Sequence, residues 1–203
     1  MSSQPGAPPA TEPRPHLVAA AIEYLSERGV SDVSLRELAS ALGTSHRMLI
    51  YYFGSKEGLL VEVVREVERR QREALVALSE DTDGTPIEVA RRFWQALRSP
   101  ALASSERLFF ELYGQALQGR PYAVAFLDGI VDSWVDVTLR LFHTDGLSQP
   151  QARALARLGV AVTRGLLLDV LATGDDAGVD AAFEHYLAAI TSLHGALGGA
   201  SEH

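Results

Sequence analysis

The chain has 203 residues, 47% of them apolar, and a formal net charge of -8, which is material for one sizeable domain or two small ones with a real core. It has no cysteine, so disulfides, thiolate metal sites and cysteine nucleophiles are excluded. No apolar run approaches the roughly 18 residues of a membrane span, and the N-terminus lacks the basic-then-apolar pattern of a signal peptide, so a cytoplasmic protein with no membrane partner is expected.

Residues 1–15 hold five of the nine prolines and no apolar periodicity, and are expected to form a disordered tail. From there the apolar residues recur at three and four: Leu17, Ala21, Tyr24 and Leu25, then Leu35, Leu38, Ala39 and Leu42, then Leu59, Leu60, Val63, Val64 and Val67. The reading is helix throughout. Gly29 ends the first helix. Ser34 caps the second, with Glu37 completing a capping box, and Gly43 ends it. Ser45 starts the third, and Gly54 stops it. Ser55 caps a long fourth helix running to about Leu78. Breaks at Asp83-Gly84, Ser99-Pro100, Gly119-Arg120-Pro121, Asp145-Gly146, Gly174-Asp175 and Gly195 divide the remainder into about five more. The expected fold is all-α with about nine helices and no internal repeat.

Two short helices joined by a turn at Gly43 describe a helix-turn-helix, whose second helix enters the DNA major groove. Leu35, Leu38 and Ala39 face inward on the first, and Leu49, Tyr52 and Phe53 on the second. Ser45, His46, Arg47, Met48 and Tyr51 are left facing out, supplying donors, a guanidinium able to grip guanine and apolar surface for thymine methyls. Ser55-Lys56, at the next helix's N-terminus, would add backbone N–H groups, a helix dipole and one ammonium for a flanking phosphate. Taken alone, the aromatics could be plain core and Ser55-Lys56-Glu57 an ordinary cap. The net charge at first argues against a nucleic-acid partner. However, residues 1–60 carry five basic and six acidic groups against thirteen and twenty in residues 61–203, so the acidity sits mostly in the second part.

The stretch LVAAAIEYLSERGVSDVSLRELASALGTSHRMLIYYFGSKEGLL resembles, without a gap, the N-terminal pattern of the TetR family of one-component transcriptional regulators. The matching positions are Ala20-Ala21, Gly29, Ser34-x-Arg36-x-x-Ala39, Gly43-x-Ser45 and Tyr52-Phe53-x-Ser55-Lys56-Glu57-x-Leu59-Leu60. The resemblance covers residues 17–60 and implies a helix-turn-helix domain at 16–60 followed by a ligand-binding and dimerisation domain at 61–203. It implies DNA contact by Ser34, Arg36, Thr44, Ser45, His46, Arg47, Met48, Tyr51, Tyr52, Ser55 and Lys56. Arg47 stands where the family often has glycine, and Ile50 where it often has tyrosine, so Arg47 can reach a base and Tyr51 and Tyr52 must carry the backbone contact.

The resemblance further implies a homodimer on a near-palindromic double-stranded operator, acting as a repressor released by a small apolar or amphipathic effector. The dimer stripe would comprise Leu155, Leu158, Val162 and Leu166 with Phe183, Leu187 and Ile190. Trp94, Phe110, Tyr113, Phe126, Trp134 and Arg164 are candidates for the effector pocket, with ordinary core packing as the competing reading for each aromatic. Arg164 shares a helical face with Arg153 and Arg157, which favours a solvated stripe. The same holds for Asp128, Asp132, Asp136 and Arg140, while Arg65, Arg69 and Arg72 read as intrahelical ion pairs with Glu62, Glu66 and Glu73. Glu184, His185 and His194 lack a third ligand at a recognisable spacing. No cofactor, metal or enzymatic activity is expected. An effector-free architectural or partner-binding protein with the same DNA module is the alternative, to be separated by whether the second domain encloses a cavity.

Overall fold

The computed structural model describes residues 13–28, 33–80, 84–141 and 146–199. Among them no strand occurs, and the elements run α1 (Pro13–Arg28), α2 (Leu35–Ala41), α3 (His46–Phe53), α4 (Lys56–Glu80), α5 (Pro86–Leu97), α6 (Ala103–Leu117), α7 (Pro121–Val124), a 3-10 turn (Ala125–Leu127), α8 (Asp132–Leu141), α9 (Gln149–Thr173) and α10 (Asp176–Gly199). α7 is a single turn; the nine other helices have seven residues or more. The expected tail lies outside the described residues up to position 12, and Pro13–Pro15 open α1. The stops expected at Gly29, Asp83 and Asp145 also lie outside them.

The ends of the helices follow from local chemistry. Ser34 accepts from the Glu37 N–H at 3.2 Å while the Glu37 carboxylate accepts from the Ser34 N–H at 2.7 Å, and the Ser34 N–H, followed by its hydroxyl, holds the Glu37 carboxyl below its ordinary range. Ser45 caps α3 by accepting from Met48, and Ser55 caps α4 by accepting from Gly58. Thr85 and Glu88 form a second capping box, with Pro86 in the first turn of α5. α9 ends at Gly174 in the left-handed conformation.

A first core joins α1, α2, α3, the first half of α4 and α6. Leu38, Leu49 and Leu59 are fully buried in it, with Phe109 and Phe126 at its far end. Burying Leu49 and Phe53 contributes about 1.5–3 kcal/mol each, and these two side chains fasten α3 to the body. α4 then passes straight through the position expected to divide the domains, so Val61, Val63 and Val64 belong to the same core as Leu17 and Leu108. Beyond it α9 packs on α10 and α8. One core there gathers Trp94, Leu167, Phe183 and Leu187, and another Leu75, Val89, Trp134 and Val137.

Glycine sets the elbow between α3 and α4. Gly54 has φ +75°, and at Gly58 an added Cβ would stand 2.0 Å from the Phe53 carbonyl oxygen. Backbone against backbone cannot yield as a flexible side chain would. Gly58→Ala should therefore destabilise the fold by about 1–3 kcal/mol, read as a lower denaturation midpoint. An unchanged midpoint would show that the elbow has slack.

Candidate functional site

α2 and α3 form the helix-turn-helix, turned at Gly43 with φ +63°. On α3 the pattern i, i+4 puts Leu49 and Phe53 in the core, and the remaining faces are left to solvent. Ser45, His46, Arg47, Met48 and Tyr51 are exposed, with Tyr51 at 77%. Tyr52 is half-buried, its ring packing edge-on to Tyr51 and tilted against Phe53, so one tyrosine supports the other. Ser34 and Arg36 are exposed, and Thr44, Ser55 and Lys56 are half-buried, the last two at the start of α4. All eleven residues expected to meet DNA are accessible at least in part. The N-terminus of α4 adds a dipole that favours an anion.

Side chains of α4, α5, α6, α8, α9 and α10 line a cavity of about 360 Å³. Its walls are largely apolar, with the rings of Phe93, Trp94, Phe110 and Trp134 among them. A buried polar cluster interrupts them. Glu68, on α4, accepts from the Trp134 indole N–H at 2.5 Å and from Arg72 at 3.2 Å, and Arg164 of α9 approaches it at 3.7 Å. Arg164 also donates to the Ile130 carbonyl at 2.8 Å and lies over the rings of Phe109 and Tyr113. Burial pushes the Glu68 carboxyl up, opposed by Arg164, Trp134 and Arg72, and draws the Arg164 guanidinium down. Glu106, on α6, accepts from the Gln71 amide at 2.5 Å. Burial, with a smaller push from Glu68, raises its carboxyl to about 7 despite that bond.

Four of the six expected pocket residues, Trp94, Phe110, Trp134 and Arg164, line the cavity. Tyr113 and Phe126 do not. Phe126 is 1% exposed inside the first core and Tyr113 stacks on Phe109 at that core's edge. Arg164 corrects the solvated-stripe reading, because its helix turns it inward while Arg153 and Arg157 reach Asp132 and Asp136 on α8. Those two aspartates are a solvated, ion-paired face as expected. Arg65, Arg69 and Arg72 all pair within α4 as expected, Arg72 with Glu68 rather than with one of the three glutamates named for the stripe. Arg65 also donates to the Ala125 carbonyl at 2.7 Å, tying α4 to the 3-10 turn. Among the described residues no three His, Asp or Glu side chains are grouped to hold a metal.

The expected dimer stripe needs the larger correction. Phe183 and Leu187 are buried within their own chain, Leu166 packs on the same core, and Leu155 and Ile190 line the cavity. The bulkiest apolar stripe on a helix serves the nearest core, which here is intramolecular. Of that set Leu158 is exposed at 41% and Val162 half-buried. The sequence reading missed Glu68, Gln71 and Glu106. Their signal was register: Val64, Gln71 and Leu75 share one face of α4 with Val67 and Glu68, so the polar members had to point inward too.

An exposed helix closing a two-helix turn, carried on a packed helical body, defines a DNA-binding regulator of the helix-turn-helix class. Residues 17–63 match the model for bacterial regulatory proteins of the tetR family. The transcriptional regulator BetI of Stenotrophomonas maltophilia is 27% identical over 141 residues, covering 56% of this chain and 72% of that protein. The structure superposes on a TetR transcriptional regulator from Legionella pneumophila with TM-score 0.64 at 18% identity, covering 92% and 99% of the two chains. It superposes with TM-score 0.63 at 23% identity on a choline-bound Saccharomonospora viridis protein, covering 89% and 94%. The chain belongs to the TetR family and is a DNA-binding transcriptional regulator. Among the described residues no helix is long and apolar enough to cross a membrane.

The raised Glu106 carboxyl makes a stability claim. Its ordinary value is 4.5 and its folded value about 7, so below 4.5 it is protonated folded or unfolded and costs nothing. As pH rises through 7 the folded state must hold a buried charge and loses stability. Glu106→Gln should melt close to wild type at pH 4.5 and above it at pH 8, by about 3 kcal/mol at most. Equal melting at both pH values would place the carboxyl in contact with water.

Proposed function

We propose that the chain is a homodimeric repressor, working in the cytoplasm, that leaves a near-palindromic operator when a small apolar or amphipathic molecule enters the cavity. The observation that carries this is the span of α4. Its first turn, at Lys56, lies beside the recognition helix, and its side chains at Glu68, Gln71 and Leu75 form cavity wall. A ligand that binds better when α4 is displaced would draw the protein out of its DNA-competent conformation, whereas equal affinity for both conformations would shift nothing. The cavity favours this reading over the effector-free one, and the choline-bound Saccharomonospora viridis protein supports it as an example of this fold holding a small molecule. We read residues 16–60 as the DNA-binding part and 61–203 as the ligand-binding and dimerising part, with α4 common to both.

In this reading His46, Arg47 and Met48 meet base edges. Ser34, Arg36, Thr44, Ser45, Tyr51, Tyr52, Ser55 and Lys56 position the helix against phosphates. Footprinting on the DNA upstream of the chain's own gene, at two salt concentrations, tests it. A protected near-palindrome that weakens steeply with salt is expected, and no protection at low salt would count against autoregulation and favour the effector-free alternative. On the protected site Arg47→Ala should lose about 1–3 kcal/mol at one base pair per half-site. An equal loss on scrambled DNA would reassign Arg47 to phosphate.

Leu158 and Leu168 are both exposed on α9, with Ala161 and Gly165 between them on the same face, and Leu193 is exposed on α10. This second, outward stripe, with the small residues Ala161 and Gly165 at its middle, supports close helix approach between two copies as a four-helix bundle. Leu158→Glu with Leu168→Glu should convert the dimer to a monomer in sedimentation and abolish two-half-site protection. A dimer unaffected by both changes would move the interface elsewhere.

A further inference from the structure

We propose that the cavity selects monocationic molecules with an apolar body, and that the free carboxylate oxygen of Glu106 is where the cation is held. This rests on the ligand-cavity reading above and adds the charge of what enters. The argument begins with how the buried charges are divided. Three ionisable side chains of the cluster line the cavity, Glu68, Glu106 and Arg164. Arg164 is spent on Glu68 and the Ile130 carbonyl, and Arg72 on Glu68. Both guanidiniums thus serve one carboxylate.

Glu106 is left with a neutral partner. Gln71 donates to its Oε1, and no hydrogen bond reaches Oε2 among the described residues. Glu106 is only 6% exposed and lines the cavity, which makes Oε2 the carboxylate oxygen left for a ligand there. A buried carboxylate with one neutral donor is under-compensated, and a cation placed against it recovers what burial costs. The rings of Phe93, Phe110 and Trp134 lining the same space add faces attractive to a cation. An anion would meet two carboxylates and an arginine already engaged. The protonation state of Glu106, pushed up to about 7 by burial, then makes cation affinity rise with pH. The groups facing it are Glu68 and Gln71 of α4 and Arg164 of α9, with His194 of α10 on the cavity wall.

The test uses the purified full chain and three probes with one body: 4-phenylbutylammonium, 4-phenylbutan-1-ol and 4-phenylbutanoate. The chain's two tryptophans, Trp94 and Trp134, both line the cavity, so their fluorescence reports binding. The cation should bind at least about tenfold tighter than the alcohol at pH 8, and its affinity should fall about tenfold at pH 6 as Glu106 protonates. In Glu106→Gln, checked for wild-type circular dichroism, the cation-to-alcohol ratio at pH 8 should collapse to within about threefold. His194 is common to both proteins, so the variant separates its contribution. Equal binding of cation and alcohol, preference for the anion, or a cation preference that survives in Glu106→Gln would overturn the proposal while leaving the cavity a ligand site. If none of the three probes binds, the ligand-cavity reading falls with it. The pH dependence in wild type stands as an independent arm should the variant misfold.

Discussion

The 25 residues of α4 form one helix about 37 Å long, and both working ends of the molecule are built on its inward face. Near its start Leu59, Leu60, Val63 and Val64 sit in the core that fastens α3, while Glu68, Gln71 and Leu75 farther along are wall to the cavity. A continuous helix cannot shift one end without moving the other, unless it bends. Nothing in its interior invites a bend, since no proline lies between Lys56 and Glu80 and its one glycine, Gly58, stands in the first turn. Under the function proposed above, it is this continuity that carries a displacement at the cavity to Lys56.

The elbow at Gly54 and Gly58 is the other half of that coupling. The first turn of α4 approaches the Phe53 carbonyl too closely for any side chain at 58, so at this one point α3 and α4 meet backbone to backbone, beside the side-chain core they share. Phe53 is in turn held by the core and covered by the Arg14 guanidinium 5.6 Å from its ring centroid. Rigid contact of this kind transmits small displacements, because packed interiors have discrete arrangements rather than a continuous softness.

The DNA-binding half was legible in the sequence because its signals are local. Ser34 with Glu37, Gly43, Ser45 and Gly54 each fix a helix end within three or four residues, and Leu49 with Phe53 fixes which face turns inward. The second half depends on long-range packing. Trp94 meets Asp180 across 86 positions and Trp134 meets Glu68 across 66, and no local pattern encodes such pairs. The dimer stripe misled for a related reason. α9 carries two apolar faces, one turned to the intramolecular core and one, at Leu158, Ala161, Gly165 and Leu168, turned outward, and periodicity finds the first. Arg164 was hidden because its neighbours at Arg153 and Arg157 do face solvent; the Glu68 carboxylate, the Ile130 carbonyl and the rings of Phe109 and Tyr113 that hold it inward are all distant in sequence.

A cavity lined wholly by apolar groups would bind by area alone and would discriminate poorly among molecules of similar size. The buried cluster on α4, α6 and α9 changes that, at a cost to stability, since taking carboxylates out of water is compensated only where geometry and hydrogen bonding are complete. At Glu68 they nearly are, with an indole, two guanidiniums and a helix-to-helix span from α4 to α9. At Glu106 they are not. The two carboxylates thus divide the work: Glu68, fully engaged, pins α4 to α8 and α9, and Glu106, held by Gln71 alone, keeps an unmet demand facing the cavity. Because Gln71 is itself on α4, any molecule that satisfies Glu106 competes for or reorients a side chain of that helix. The polar chemistry of the cavity and the helix that reaches Lys56 are joined at that one hydrogen bond.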